Sequence, residues 1–228
     1  MPDKPDKRVA LVFGASGLVG SELVKELVTD VSYSSIEVFL RKPMVLKSPK
    51  IKEHIIDFDH LEEFSQLMIG DDLFICLGTT IRKAGSVKKV EEIDRDLPVR
   101  IAQLAFANGV KRIAVVSSMG ANTSSGNYYL RIKGEMEEGI RNIPFDQIVI
   151  ARPSMLFGSR SEFRFGEIIG KVFMRAIGFL LIGKARKYRG IEGQAVAVAM
   201  IALIGSAHHE MVYQSDELQK WADEDKNH

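Results

Sequence analysis

Cysteine is almost absent from this sequence. The one thiol, Cys76, cannot close an internal disulfide or build a cysteine-ligated metal site by itself. The five histidines are scattered and lack the spacing typical of a metal site. We therefore expect no bound metal and a reducing compartment, and we predict a cytoplasmic location.

An excess of charge of one sign is also missing. The chain carries 31 basic and 30 acidic residues, which gives a formal net charge of +1. Without a positive field, neither nucleic acid nor an anionic membrane surface is favoured as a partner. We expect a small-molecule substrate held in a pocket and no nucleic acid.

Long uncharged hydrophobic runs are absent as well. The most apolar stretch, 168–182, is interrupted by two glycines and two cations, whereas a membrane-spanning helix needs about 18 apolar residues. We predict no transmembrane segment and a single domain over residues 1–228. The stretch 168–182 fits either a pocket wall or an interface, so a monomer, a homodimer and a protein partner all stay open.

The apolar pattern predicts strands that alternate with helices. Short runs rich in β-branched residues predict strands at 9–13, 36–40, 51–56, 72–76, 112–116 and 145–150. Helical spacing predicts helices after Gly17, near 61–68, over 87–108 with an interruption at Pro98, and over 128–141. This order predicts an α/β fold with a doubly wound parallel sheet.

The alternation of predicted strands and helices stops after the sixth predicted strand. Residues 163–182 and 194–205 fit helices with little strand between them. We predict a small, mostly helical C-terminal cap over 154–214 that completes a ligand crevice. The polar tail after Gln214 is expected to form a short helix or to fray.

A glycine-rich turn lies between the first strand and the first helix. Glycines at this point allow a tight turn and close approach to phosphate, and the helix N-terminus offers free N–H groups. This context predicts a dinucleotide pyrophosphate site. The predicted contacts are Gly14, Ala15, Ser16, Gly17, Leu18, Val19 and Gly20.

Two cations stand where an NAD-specific site usually has an acidic residue. Arg41 and Lys42 follow the second strand and could neutralise a ribose 2′-phosphate, which favours NADP(H) over NAD(H). Asp57, after the third strand, is a candidate for the adenine amino group. Four residues that close the fourth strand are predicted to line the cofactor: Leu77, Gly78, Thr79 and Thr80.

A tyrosine and a lysine open the helix that follows the fifth strand. Tyr129 and Lys133 are four residues apart and share one helix face, so the ammonium should lower the tyrosine pKa and prepare the phenol for acid–base catalysis. Lys133 could also bind ribose hydroxyls. Ser117 and Ser118 directly follow the strand, and either hydroxyl could hold a substrate carbonyl; Ser118 is preferred.

Several motifs together resemble the atypical short-chain dehydrogenase/reductases, in the Tat-interactive oxidoreductase-like branch. They are Gly14 to Gly20, Cys76-Leu-Gly-Thr-Thr80 with Lys83-Ala-Gly85, Asp94-Arg-Asp96, Ser117-Ser-Met-Gly-Ala121, Tyr129-x-x-x-Lys133 and Arg152-Pro153. The resemblance implies a Rossmann fold, NADP(H) binding and Ser, Tyr and Lys in catalytic positions. It also implies that Pro153 lies near the nicotinamide.

Three functions fit these residues. The first is an NADP(H)-dependent oxidoreductase acting on a small carbonyl or secondary alcohol. The second is a binding or regulatory protein that senses NADP(H) without turnover, because a short cap encloses little space for a large substrate. The third is a nucleotide-sugar-type epimerase or dehydratase, since the same catalytic residues serve transient oxidation.

Overall fold

A seven-stranded parallel sheet forms the centre of the computed structural model, which describes residues 7–157, 183–207 and 211–225. The strands, in chain order, are β1 (Arg8–Phe13), β2 (Tyr33–Leu40), β3 (Ile51–Ile55), β4 (Asp72–Ile75), β5 (Arg112–Val116), β6 (Gln147–Arg152), β7 (Leu156–Phe157), β8 (Ile191–Glu192) and β9 (Val212–Gln214). The sheet order is β3-β2-β1-β4-β5-β6-β9, and β7 pairs separately with β8. The predicted doubly wound parallel sheet is confirmed.

Helices cover both faces of this sheet. They are α1 (Leu18–Thr29), α2 (Ile81–Ala84), α3 (Val87–Glu91), α4 (Leu97–Ala107), α5 (Tyr128–Arg141), α6 (Gly193–Ile204) and α7 (Ser215–Asp225). Two 3₁₀ segments span Phe58–Leu67 and Gly183–Tyr188. Across the three described ranges, no helix is both long and apolar enough to cross a membrane.

The alternation of side chains along β1 divides the core into two layers. Ala10 and Val12 pack with α1, α6 and α7. Leu11 and Phe13 pack with the 3₁₀ segment Phe58–Leu67, α4 and α5. Successive residues of a strand point to opposite faces, so one short strand serves both layers. Burial on both faces explains why this strand reads as a continuous apolar run.

The order of the strands reverses beside β1. Strands β2 and β3 lie on one side of it, and β4, β5 and β6 lie on the other. Ligands of doubly wound sheets bind outside the carboxyl ends of the strands at such a reversal. This edge carries the glycine-rich turn after β1 and the small residues after β4.

The region 87–108, predicted as one long helix interrupted at Pro98, forms two helices, and the break between them lies before Pro98. A π-helical turn, Glu92–Asp96, joins α3 to α4, and Pro98 stands in the first turn of α4. A proline is tolerated there because the first N–H groups of a helix have no partner within it. The interruption therefore precedes Pro98.

The structure describes the predicted cap over 154–214 in part. Its second helix is confirmed as α6, which packs against α1 and against strands β5 and β6. The predicted helix over 163–182 lies outside the described residues. Strand β9 was not predicted, because three residues are too few to show a pattern. It adds the outermost strand beside β6.

Candidate functional site

Two glycines of the turn between β1 and α1 leave no room for a side chain. Gly14 has a φ of +88°, and a Cβ at this position would lie 2.6 Å from the carbonyl carbon of Cys76. The N–H of Gly17 donates to the carbonyl of Gly14 at 2.9 Å, which closes the turn. A Cβ on Gly20 would collide with that same carbonyl oxygen. The geometry therefore requires glycine at Gly14 and Gly20.

The start of α1 is open to an anion. Gly17 caps the helix and contributes no side-chain hydrogen bond. Ser16 is exposed beside it, while Ala15 and Val19 are buried and hold the turn against the core. Free N–H groups and the helix dipole make such an N-terminus a phosphate site. The cradle therefore fits a dinucleotide pyrophosphate.

A cleft of about 850 Å³ opens above this turn. Of the predicted cofactor contacts, it is lined by Gly14, Ser16, Gly17, Arg41, Asp57, Leu77, Gly78 and Thr79. The turn after β1 and the turn after β4 thus face each other across the strand reversal. The volume suits a ligand of cofactor size.

Other predicted contacts do not line this cleft. Lys42 is exposed outside it, and the hydroxyl of Thr80 caps α2 by accepting from the N–H of Lys83 at 3.4 Å. Pro153 is buried, and its carbonyl accepts from the N–H of Met119 at 3.0 Å. Leu18 and Gly20 lie within α1 and shape the turn from behind.

The cation at the end of β2 is available to a ligand. Arg41 is exposed, lines the cleft and, among the residues that the structure describes, forms no ion pair. Two other cations at the cleft are already paired. Lys89 lies 2.8 Å from Glu92, and Arg100 lies 2.6 Å from Glu62. Arg41 is thus the better candidate for a 2′-phosphate.

The carboxylate of Asp57 is partly occupied by its own chain. It accepts from the N–H of Asp59 at 2.9 Å and lies 3.0 Å from Nδ1 of His60. The backbone hydrogen bond and the His60 contact lower the pKa of Asp57. One edge of this side chain therefore caps the 3₁₀ segment, although the residue still lines the cleft.

Helix α5 begins at an asparagine cap. The side chain of Asn127 accepts from the N–H groups of Tyr129 and Leu130 at 3.0 and 3.2 Å. Tyr129 is 39% exposed, whereas Lys133, one turn later, is 2% exposed. The cap therefore leaves the phenol partly exposed and the ammonium buried; within the described ranges, neither side chain lines the cleft above the phosphate turn.

The expected lowering of the Tyr129 pKa is wrong for the ligand-free protein. Surrounding protein raises the pKa of the phenol, and the opposing effect of Lys133 is weaker. The ammonium of Lys133 lies 2.9 Å from a carboxylate oxygen of Asp94, which adds a negative charge near the phenol. The sequence pattern showed the cation but not its buried counter-ion.

The two serines after β5 have different surroundings. The hydroxyl of Ser117 is buried and donates to the carboxylate of Glu137 at 2.6 Å, and Arg152 donates to the same carboxylate. Ser118 is half-buried, at the start of the loop that leads towards α5. The hydroxyl of Ser117 is thus committed to the interior, and Ser118 is the candidate to meet a ligand.

Asp94 is a candidate site residue to which the sequence analysis gave no role. It belongs to the Asp94-Arg-Asp96 motif, which contributed to the family resemblance without being given a role. Its side chain is fully buried in the π-helical turn. A buried carboxylate near the Tyr-x-x-x-Lys helix was the missing partner, and sequence spacing alone does not reveal it.

Cys76 is a free thiol on the cleft wall. Burial raises its pKa to about 12, so the thiol stays protonated and unreactive at neutral pH. Within the described ranges, no group of three or more His, Cys, Asp or Glu side chains is arranged to hold a metal ion.

Comparison with known proteins identifies the nucleotide-binding region. A family model described as NAD(P)H-binding matches residues 14–167. HTATIP2 of Rattus norvegicus, a Tat-interactive protein, is 34% identical over 178 residues, which cover 76% of this chain and 73% of the relative. Protein FMP52 of Candida glabrata is 36% identical over 202 residues, covering 85% and 83%. The predicted resemblance to the Tat-interactive branch is confirmed.

Solved structures share the fold at low sequence identity. The oxidoreductase ylbE from Lactococcus lactis superposes with a TM-score of 0.62 at 18% identity, covering 96% of this chain and 97% of that one. MoeE5 in complex with UDP-glucose and NAD gives a TM-score of 0.66 at 15% identity, covering 95% and 81%. These similarities confirm the Rossmann-like architecture.

The cytoplasmic location predicted from composition is wrong on this comparison. The FMP52 relatives from Candida glabrata, Candida albicans and Saccharomyces cerevisiae are named as mitochondrial proteins. A scarcity of cysteine indicates a reducing environment but does not distinguish one reducing compartment from another.

The glycine cradle, the cleft at the strand reversal and the family match agree on the ligand class. The chain belongs to the family of NAD(P)H-binding proteins.

Proposed function

We propose that this protein is an NADP(H)-dependent oxidoreductase of the short-chain dehydrogenase/reductase type that acts on a small carbonyl or secondary alcohol. One observation carries the proposal. Tyr129 opens α5 with Lys133 one turn later, and Lys133 pairs with Asp94, whose carboxylate accepts from the N–H of Thr79 in the wall of the nucleotide cleft. Bound nicotinamide would supply the hydride for the carbonyl carbon and would accept one in the reverse direction.

The chain's own residues would manage the proton and the position of the substrate. In the reductive direction, the hydroxyl of Tyr129 gives its proton to the carbonyl oxygen, so that the products are an alcohol and a tyrosinate. The hydroxyl of Ser118 donates a hydrogen bond to the same oxygen and holds it beside the phenol. The ammonium of Lys133 stabilises the tyrosinate until the proton is replaced from solvent.

Arg41 supports NADP(H) as the cofactor. It is an exposed guanidinium at the end of β2, and it has no carboxylate partner among the described residues. A guanidinium can bind a 2′-phosphate with two parallel hydrogen bonds. Lys42 lies outside the cleft, so the proposed preference depends on Arg41 alone.

A pair of adjacent tyrosines provides the test of the reaction. Purified wild type, Tyr129→Phe and Tyr128→Phe would be compared for NADPH oxidation with a panel of small aldehydes and ketones. The hydroxyl of Tyr128 already donates to the carbonyl of Val87, so this variant is the control. We expect Tyr129→Phe to lose at least about 100-fold in turnover, the contribution typical of general acid catalysis, and to keep nucleotide binding.

Either of two results would count against this reaction. Turnover that survives Tyr129→Phe unchanged would exclude the tyrosine as the proton donor. NADPH binding without turnover of any carbonyl or alcohol in the panel would favour the nucleotide-sensing function. Nucleotide that stays bound throughout purification would instead favour transient oxidation, as in an epimerase or dehydratase.

A further inference from the structure

Asp94 occupies an irregular point of the fold. It lies in the π-helical turn Glu92–Asp96 and is fully buried. Pro98 follows four residues later and has no N–H to offer to the backbone carbonyl of Asp94, which a regular α-helix would require. Such π turns are often found at functional sites. This turn brings a carboxylate inside the protein behind the cleft wall.

The two oxygens of this carboxylate contact two different parts of the site. Oδ2 accepts from the backbone N–H of Thr79 at 2.9 Å, and Oδ1 lies 2.9 Å from the ammonium of Lys133. A Cβ on Gly78 would lie 3.6 Å from Oδ1. One side chain thus connects the cleft wall after β4 with the helix that carries Tyr129.

The charge of Lys133 depends on its surroundings. Burial by itself would lower the pKa of this ammonium, but the negative groups around it, Asp94 foremost, together outweigh the effect, so the pKa is raised. The other titratable groups that act on Lys133 are Tyr129 and Glu137. Glu137 already accepts hydrogen bonds from Arg141 and Arg152. Asp94 is therefore the direct counter-ion.

We propose that Asp94 is the positioning residue of this site, which fixes the catalytic lysine in place and in its charged form and joins it to the wall that receives the cofactor. The proposal rests on the proposed function, since the role of Lys133 comes from it. A purely structural role is the alternative explanation. Buried ion pairs are often no more stabilising than apolar residues of similar size, so fold stability alone does not account for this one.

The charge of Lys133 can be measured without any substrate. In protein labelled with ¹⁵N at lysine side chains, the Lys133 ammonium signal is identified by its absence in Lys133→Met and followed against pH. In the wild type, we expect it to persist above the ordinary pKa of 10.5 despite burial. In Asp94→Asn, the midpoint should fall by about one unit or more, because the opposite charge is removed.

Glu135→Gln is the matched control. Glu135 lies 3.0 Å from Arg95, so this ion pair also joins the π turn to α5, and both side chains are about one-third exposed. We expect the Lys133 midpoint to be unchanged in this variant. A midpoint in Asp94→Asn equal to the wild-type value would overturn the proposal. If Asp94→Asn does not fold, a wild-type midpoint below 10.5 would overturn it equally.

Nucleotide affinity separates this proposal from the proposed function. Asp94→Asn and Lys133→Met should each raise the NADPH dissociation constant, and the double variant should raise it no further than Lys133→Met alone, because both changes remove one charged contact. Additive effects would contradict a shared role. A wild type that binds no nucleotide would refute the proposed function, while the Lys133 titration would still decide the role of Asp94.

Discussion

The ammonium of Lys133 and the carboxylate of Asp94 form an ion pair of 2.9 Å with both side chains almost completely buried. Each charge has been moved out of water, so each depends on the other for compensation. This mutual dependence has consequences for stability as well as for chemistry, and the two can be measured separately.

Removing one member of the pair should destabilise the fold. Lys133→Met leaves Asp94 without a counter-ion and should lower the free energy of unfolding by about 3–5 kcal/mol. The double variant with Asp94→Asn should lose less than the sum of the two single changes, because no unpaired charge remains. Urea unfolding followed by circular dichroism measures all three. Strict additivity would mean that the two side chains are not coupled.

The glycine turn gives a second prediction. Gly14→Ala should abolish nucleotide binding and destabilise the protein, because the methyl group combines a positive φ with a collision against Cys76. Gly109→Ala is the control: its φ is +91° and a Cβ there meets nothing within 4 Å. The control should cost about 1–2 kcal/mol from backbone strain and leave NADPH binding intact. Equal effects on binding would show that strain, and not the cradle, is responsible.

The two serines should separate stability from activity. Ser117→Ala removes a hydrogen bond to the buried carboxylate of Glu137 and should lower the free energy of unfolding by about 1.5–3 kcal/mol. Ser118→Ala should leave stability unchanged and lower turnover. Thermal unfolding and steady-state rates on both variants test this division. Loss of turnover in Ser117→Ala at full stability would reverse the assignment.

The phenol of Tyr129 should ionise late in the ligand-free protein. Burial raises its pKa above the ordinary value of 10.0, so it remains protonated at neutral pH and can donate a proton. The difference in tyrosinate absorbance between wild type and Tyr129→Phe, followed from pH 7 upwards, isolates this group. Because the folded state holds the proton more tightly than the unfolded chain, this group's contribution to stability is present below pH 10.0 and is lost as the pH rises above it. A midpoint below 10.0 would contradict the account.

Local sequence patterns were sufficient to predict most of the strands and helices of the fold. The continuous apolar run of β1 and the glycines after it are enough to predict a strand followed by a glycine-rich turn, without knowledge of contacts distant in sequence. Strand β9 escaped prediction because three residues carry no periodicity, and its place beside β6 depends on contacts distant in sequence. Asp94 was missed for the same reason, because its proposed role depends on contact with Lys133, 39 positions later in the chain.

The same distinction between local pattern and distant contacts applies to the candidate site. Tyr129 and Lys133 share one helix face, which spacing alone reveals. The different surroundings of the two serines depend on Glu137, which is distant in sequence. Whether a cation reaches the cleft depends on the direction of its side chain. Arg41 and Lys42 look equivalent in the sequence, but only Arg41 lines the cleft.

The most direct test of the central claim is a fluorescence titration with NADPH and with NADH on wild type, Arg41→Asp and Lys42→Asp. We predict that the wild type binds NADPH more tightly than NADH. Arg41→Asp should lose at least about tenfold in NADPH affinity, the loss of one charged hydrogen-bonding contact, and should largely keep NADH binding. Lys42→Asp should change neither. Absence of binding of either nucleotide to the wild type would contradict the account.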